Sequence, residues 1–376
     1  MRYKSKAMII LLVLLLLFGG FGCILTLSDY FSPMFSDSEG SAVLNIETYI
    51  DGGNQPTHPS VIDMGEEWNG FRYWMAYSPY PNANGAEENP CVCVSNDVIH
   101  WVTPDGLYNP IAFNEETACD ELKDPHIVYN SDLDRLEVWY LGRLDSTIKN
   151  GGPLTLFRKV SFDGIHWSEY EVIRTLDGYL SPSIAYSGRK YQLWAIQAST
   201  SDSDGTLVYS ESTDGKDWLP FVNCTFDGAP ELQKVWHGAV SRDNLYRFVE
   251  DSGKSKEILY TESADGTTWQ EPRTIIQKAN FWTAFYRPCI LYSNSNFYCI
   301  YGVITRDNVW YLSMSTGASP DELRGISSKE IGASEINSSV FAKYSATQVA
   351  KSVYHFVQSL CRPELVFICV FVAFAL

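Results

Sequence analysis

Short runs rich in aromatic and β-branched residues recur along most of the chain, and Gly, Asp or Asn residues separate them. Typical runs are Leu136–Leu141, Tyr191–Ile196 and Phe297–Val303. Apolar and polar positions alternate in several of them, which is typical of strands with one buried face. The pattern predicts an all-β domain made of many short strands.

Four of these runs lead into the same seven-residue pattern, Ser-x-Asp-x-x-x-Trp. The copies are Ser95–Trp101, Ser161–Trp167, Ser212–Trp218 and Ser263–Trp269. The Asp can accept hydrogen bonds from backbone N–H groups, and the Gly that follows it in three copies tolerates positive φ. The Trp can cover the turn with a large apolar face. Each copy therefore predicts a tight turn.

The same order of strands can be read around each copy. First strands begin at residues 58, 124, 181, 237 and 287, which gives spacings of 66, 57, 56 and 50 residues. Propeller blades are four-stranded units of about this size, arranged radially. The spacing predicts a five-bladed β-propeller over residues 41–325, with Ala42–Ile50 as a candidate outer strand of the fifth blade. A sixth blade would need residues 319–350, which lack strand alternation.

The two ends of the chain carry a different pattern. Residues 7–27 are uncharged and follow three basic residues, Arg2, Lys4 and Lys6. A stretch of about 20 apolar residues can span a bilayer as a helix, and basic flanks stay on the cytoplasmic side. We therefore expect residues 1–28 to form a signal anchor or a signal peptide, with the propeller outside the cytoplasm, membrane-anchored or secreted. Residues 326–376 are expected to form a helical tail that ends in twelve apolar residues and either touches a membrane or packs on the propeller.

Composition narrows the classes of partner. The net charge of −17 argues against nucleic acid, whose phosphates need clustered Lys and Arg. An acidic surface with 14% aromatic residues suits neutral sugars or cations, although it can also serve solubility alone. The nine cysteines include no CxxC pair, so buried free thiols are expected rather than a metal cluster.

The predicted fold sorts residues by position. First strands line the central channel of a propeller, and the loops between second and third strands share its top face. The chemically capable residues at these places are His58, Asp124, His126, Ser181, Trp236, His237, Tyr286 and Arg287 from first strands, and Glu88, Arg143, Glu250, Asp251 and Arg306 from loops. Aromatic faces stack on sugar rings and polar groups bind hydroxyls. The alternative is that first strands only fill the channel, but buried polar groups from five blades need partners.

The repeats resemble the Asp-box of sialidases, and the repeat order with Asp124-Pro125 resembles the five-bladed propeller glycosidases, including families 32, 43 and 130. The resemblance covers roughly residues 41–325. For families 32 and 43 it implies an Asp in blade 1, an Asp in blade 2 and a Glu in blade 3. Asp124 matches the second position, whereas His58 and Ser181 stand at the other two. Because glycoside hydrolysis needs one protonated and one ionised carboxyl group, Glu88 and Glu250 are the candidates for the missing acid.

The resemblance implies an enzyme that hydrolyses or phosphorolyses a glycosidic bond in an oligo- or polysaccharide. In the family 130 version, an Asp in such an Asp-Pro segment acts as the acid, and Arg143, Arg287, His58 and His237 would hold phosphate. It also implies calcium as an optional ion in the channel, while the residues themselves specify no cofactor. The alternatives are a non-catalytic carbohydrate-binding propeller, such as an adhesin or sensor, and a protein–protein scaffold.

Overall fold

Twenty-one strands form the framework of the part of the chain that the structure describes. The structure is a computed structural model. It describes residues 42–332 apart from 51–54, 118, 145–152, 199–204, 229–234, 252–256, 278–281 and 306–307. The predicted membrane segment and the apolar tail lie outside these residues and stay predictions. In the described residues, no helix is long and apolar enough to cross a bilayer.

Five antiparallel sheets follow one another along the chain, one for each predicted blade. Blade 1 contains β1 (Pro56–Trp68), β2 (Phe71–Pro79) and β3 (Cys91–Ser95). Blade 2 contains β4 (Cys119–Asn130), β5 (Arg135–Leu144), β6 (Leu154–Ser161) and β7 (Glu171–Thr175). Blade 3 contains β8 (Tyr179–Ser187), β9 (Lys190–Ala198), β10 (Gly205–Ser212) and β11 (Val222–Asn223).

The later blades follow the same order. Blade 4 contains β13 (His237–Arg242), β14 (Tyr246–Asp251), β15 (Glu257–Ser263) and β17 (Arg273–Gln277). Blade 5 contains β18 (Ala284–Ser293), β19 (Asn296–Ile304), β20 (Trp310–Gly317) and β21 (Arg324–Gly325). A parallel pair, β12 (Thr225–Phe226) with β16 (Thr268–Trp269), links blades 3 and 4. The described helices are short: α1 (Asn114–Thr117), α2 (Ser328–Ile331), and 3-10 turns at Pro81–Ala83, Gly85–Glu87 and Pro320–Glu322.

The first strands of the five blades form a closed ring. β1 contacts β4, β4 contacts β8, β8 contacts β13, β13 contacts β18, and β18 returns to β1. Each first strand therefore has one neighbour on either side, as the innermost strand of a propeller blade must. The predicted five-bladed β-propeller is confirmed. The six described cysteines are buried free thiols, as expected.

The outer edge of blade 5 differs in part from the prediction. Ala42–Ile50 does not form the fourth strand, because β21 takes that place by pairing with β20. Val43 instead adds a single bridge to Ser313 of β20. Beyond the predicted end of the propeller, Ile326 and Ile331 pack into the apolar core that blades 1 and 5 share. Residues from both sides of the propeller sequence thus close the ring.

Every Ser-x-Asp-x-x-x-Trp repeat forms the same hydrogen-bonded turn. In the second repeat, Asp163 Oδ1 accepts from the backbone N–H groups of Ile165 at 2.9 Å and His166 at 2.8 Å. The equivalent carboxylates that accept two such bonds are Asp97, Asp214 and Asp265. Two backbone donors on one oxygen hold the turn in a single conformation, as the sequence predicts.

The turns also fasten neighbouring blades together. Trp194 of β9 donates through Nε1 to the carbonyl oxygen of Gly266, in the turn of the next blade, at 2.7 Å. Gly164 in the turn of blade 2 lies against the ring of Trp74 in β2 of blade 1. Glycine is needed there both for its positive φ and because the ring leaves no room for a side chain.

We expect Gly164→Ala to destabilise the protein more than Gly178→Ala. The two glycines have φ of 75° and 79°, so alanine is strained at both by about 1–2 kcal/mol. At Gly164 an added Cβ would also lie 2.1 Å from the Trp74 ring, whereas nothing lies within 4 Å of it at Gly178. Overpacking adds about 1–3 kcal/mol. Urea unfolding measures the difference, and equal losses in both variants would contradict this account of the turn.

Candidate active site

Four of the five first strands contain a residue of unusual backbone conformation followed by proline. These residues are His58, Asp124, Ser181 and Arg287, with φ of 51°, 54°, 49° and 32°. At each of them the register of the first strand against the second shifts, which marks a β-bulge. A left-handed conformation is costly for a residue other than glycine, and such residues concentrate at functional sites. A bulge re-aims the side chain that it carries.

Blade 4 reaches the same position without a bulge. His237 pairs regularly with Asp251, and Gly238 pairs with Glu250. A Cβ on Gly238 would lie 2.6 Å from the ring of Phe248, so the glycine allows the close approach of the two strands. The imidazole of His237 thereby lies next to Ser181 in the circle of first strands.

Asp124 is the group on which the five blades converge. Its Oδ1 lies 3.3 Å from Arg287 Nη1, 3.5 Å from His58 Nε2 and 4.0 Å from His237 Nδ1. Its Oδ2 accepts a hydrogen bond from the backbone N–H of Ser181 at 2.8 Å. Burial alone would raise the pKa of Asp124, but Arg287, the histidines and this hydrogen bond hold it well below its usual range. The carboxylate is therefore ionised at neutral pH, although it is fully buried.

A second carboxyl group lies on the other side of His58. His58 Nδ1 is 2.7 Å from Glu88 Oε1 and 2.9 Å from Ser78 Oγ. Burial raises the pKa of Glu88 well above its usual range, against the lowering effect of Lys123. Burial also lowers the pKa of His58 to about 3. Burial thus favours the protonated form of Glu88 and the uncharged form of His58, beside the ionised Asp124.

An aromatic wall completes the site. Tyr286 lies between the two imidazoles, with ring centroids 4.5 Å from His237 and 5.1 Å from His58. Trp310 continues the wall at 4.9 Å from Tyr286. His237 is hydrogen-bonded through Nδ1 to Ser181 Oγ at 2.7 Å. Burial lowers the pKa of His237 to about 3 and raises that of Tyr286 well above its usual range, so both stay uncharged.

Two predicted binding residues lie apart from this cluster. His126 is hydrogen-bonded on both ring nitrogens, to Ser60 Oγ at 3.1 Å and to the carbonyl oxygen of Ile184 at 3.0 Å. It therefore joins three first strands farther along the channel. Arg143 donates through Nε to Glu121 Oε1 at 3.0 Å, at the rim of blade 2. Neither contact leads to Asp124.

Glu250, predicted as a catalytic candidate, is also outside the cluster. It precedes Asp251 in β14, and adjacent residues of a strand face opposite sides. In the described part of the chain, neither carboxyl oxygen of Glu250 has a hydrogen-bond partner, and the side chain is buried. Burial, with a smaller contribution from Asp251, raises the pKa of Glu250 to about 8.

The remaining candidates take different places, and two residues join the site without having been singled out, Ser78 and Lys123. Asp251, which the sequence placed on the top face without a role, binds the backbone of two neighbouring strands. Ser78 acts on His58 and Lys123 acts on Glu88. Their one sequence signal is position, because Ser78 is the last residue but one of β2 and Lys123 directly precedes Asp124 in β4. Trp236 packs edge-on against the ring of His237 at 5.4 Å, whereas Arg306 lies outside the described residues.

The donor set around Asp124 does not suit calcium. Calcium takes six to eight oxygen ligands, but the groups within reach of Asp124 Oδ1 are two imidazoles and a guanidinium. Across the described ranges, no cluster of three or more His, Cys, Asp or Glu side chains has the arrangement of a metal site. These groups can transfer protons and supply fixed charge.

Comparison with known proteins shows which proteins the chain is similar to. No family model matches the chain. The A type blood N-acetyl-alpha-D-galactosamine deacetylase of Flavonifractor plautii is 31% identical over 225 residues, which are 58% of this chain and 26% of that protein. The chain thus spans about a quarter of the length of this curated relative.

Solved structures share the fold. An N-acetylgalactosamine deacetylase from F. plautii, in complex with blood group B trisaccharide, superposes with a TM-score of 0.64 at 20% identity, over 74% of this chain and 95% of that one. The RS223 β-xylosidase gives 0.55 at 11%, over 74% and 98%. A GH43_1 enzyme from Xanthomonas citri with bound xylose gives 0.54 at 10%, over 72% and 91%. The chain is therefore similar to propeller enzymes that process carbohydrate.

We expect Glu250→Gln to gain stability over the wild type as the pH rises from about 5 to 8. Burial raises the pKa of Glu250 from 4.5 to about 8. A folded-state pKa above the unfolded one contributes stability at low pH that is lost as the pH rises through the folded value. Glutamine cannot ionise, so the variant does not suffer this loss. Urea unfolding at both pH values measures the effect, with the exposed Glu66→Gln as control. A stability difference that is the same at both pH values would refute the account.

Proposed function

We propose that the protein is a carbohydrate-active hydrolase that removes the acetyl group from an N-acetylated sugar, outside the cytoplasm. The observation that carries the proposal is the pair of residues beside Asp124. His58 and Ser181 stand where the resemblance to the propeller glycosidases implies an Asp and a Glu. A site with imidazole and hydroxyl groups at these positions is better suited to hydrolysis of an amide than of a glycosidic bond. The similarity to a deacetylase supports the same reaction.

Amide hydrolysis makes three demands on a site. A water molecule must lose a proton, the charge that develops on the carbonyl oxygen must be stabilised, and the leaving nitrogen must gain a proton. Glu88, whose protonated form is favoured by burial, is the group that donates to the leaving nitrogen. The uncharged imidazoles of His58 and His237 are the groups able to accept the proton of water.

Fixed charges support these steps. Asp124 lies 3.5 Å from His58 Nε2 and stabilises the positive charge that this ring acquires on taking a proton. Tyr286 keeps its phenol proton and is a donor of the kind that stabilises an oxyanion. The wall of Tyr286 and Trp310 offers aromatic faces on which a sugar ring can stack.

Cleavage of a glycosidic bond is the second candidate. A protonated Glu88 and an ionised Asp124 would also meet the need for two carboxyl groups in different states. Phosphorolysis has less support, because Arg287 is fully buried as the partner of Asp124 and Arg143 is held by Glu121. A phosphate ion would have to compete with both carboxylates.

We expect the purified chain to release acetate from oligosaccharides that carry N-acetylgalactosamine or N-acetylglucosamine. Glu88→Gln should lower kcat by at least about 100-fold, because general acid catalysis contributes about 10²–10⁴. Asp124→Asn should act in the same direction, since it leaves Arg287 without its counter-charge and removes the charge that would stabilise a protonated His58. Glu250→Gln is the matched control and should keep wild-type turnover. Acetate release and mass spectrometry of the sugar follow the reaction.

The same assay separates the other functions. Release of shorter sugars without acetate from arabino-, xylo- or manno-oligosaccharides would show glycosidic cleavage instead of deacetylation. A requirement for phosphate would identify phosphorolysis. Sugar binding without turnover, unaffected by Glu88→Gln and Asp124→Asn, would indicate the non-catalytic binding propeller.

A further inference from the structure

Asp251 occupies a position at which it touches two blades at once. It is the last residue of β14 and is fully buried. Its Oδ1 accepts a hydrogen bond from the backbone N–H of His237 at 3.2 Å, within its own blade. Its Oδ2 accepts one from the backbone N–H of Arg287 at 2.7 Å, in the next blade.

The bond to Arg287 meets a need that the bulge creates. A bulge interrupts the ladder of backbone hydrogen bonds, and a buried N–H group without an acceptor is costly. In blade 5 the ladder is interrupted between Tyr286 and Cys289, and Asp251 supplies the acceptor. Asp124 does the same for the N–H of Ser181 in the bulge of blade 3. Each carboxylate thus reaches from its own blade to the bulge of the following one.

The two backbone groups that Asp251 holds belong to residues whose side chains meet at the same atom. Arg287 Nη1 and His237 Nδ1 lie 3.3 Å and 4.0 Å from Asp124 Oδ1. A shift of blade 5 against blade 4 would change both distances. A carboxyl group with one oxygen on each strand resists this shift, because the shift would lengthen and misalign its two hydrogen bonds.

We propose that Asp251 is a positioning residue of the site: it fixes the first strands of blades 4 and 5 to each other and so sets His237 and Arg287 against Asp124. It touches neither a substrate nor the reacting atoms. The structural part stands on the hydrogen bonds alone, while its consequence for turnover rests on the proposed function.

Asp251→Asn tests the structural part, because the amide has one acceptor oxygen and can satisfy one N–H group at most. In the full chain, we expect the backbone amides of His237 or Arg287 to exchange with solvent about tenfold faster, as for the loss of one such bond. Mass spectrometry of peptides around residues 181, 237 and 287 measures the exchange. Ser181, which is held by Asp124, is the internal control and should be unchanged.

Asp243→Asn is the matched control variant, because Asp243 lies in the turn between β13 and β14, the strands of His237 and Asp251, and accepts a hydrogen bond from the Leu245 N–H at 3.0 Å. It should leave exchange at residues 237 and 287 unaltered. If Asp251→Asn does not fold, Asp251→Ser removes the carboxylate while leaving room for water. Unchanged exchange at both residues in the folded variant would overturn the proposal.

Turnover provides the second readout. With an N-acetylated sugar as substrate, Asp251→Asn should lower kcat by about tenfold or more with little change in KM, since small misplacements of catalytic groups are costly. Faster exchange with wild-type kcat would show a purely structural role and overturn the positioning role. A wild-type chain without deacetylase activity would refute the proposed function, whereas the exchange experiment would still decide the role of Asp251.

Discussion

One buried carboxylate organises the centre of this propeller. Asp124 comes from blade 2, and each of the other four blades sends one group to it: His58, Ser181, His237 and Arg287. An ionised carboxylate without partners inside a protein would be unstable by several kcal/mol. The ring can hold this charge only when all five first strands are in place, so closure of the fold and formation of the site depend on the same contacts.

The environment of each acid near the ring determines its state. Asp124 has a guanidinium beside it and stays ionised, whereas burial raises the pKa of Glu88, which faces an uncharged imidazole. Burial raises the pKa of Asp251 to about 7, although two backbone N–H groups counteract the rise. Glu250 has no such donors in the described part of the chain and is raised further. The pKa values of these four buried carboxyl groups are thus shifted differently by their surroundings.

The sequence predicts the blades well because its signals are local. Strand alternation and the Ser-x-Asp turns depend on residues a few positions apart, and they locate all five first strands. The site is harder, because its contacts join different blades. Strand alternation would have shown that Glu250 and Asp251 cannot both face the same side. The acceptor role of Asp251 depends on a bulge in the next blade. The raised pKa of Glu88 depends on burial, which neighbouring residues in the sequence do not specify.

The four bulges share one backbone conformation but carry four chemically different side chains: His58, Asp124, Ser181 and Arg287. The proline that follows each of them limits the backbone whatever the preceding side chain is. An imidazole, a carboxylate, a hydroxyl and a guanidinium therefore occupy equivalent backbone positions in four blades. Related propellers could acquire a new reaction by replacement of single residues at these bulge positions, while the blades keep their structure.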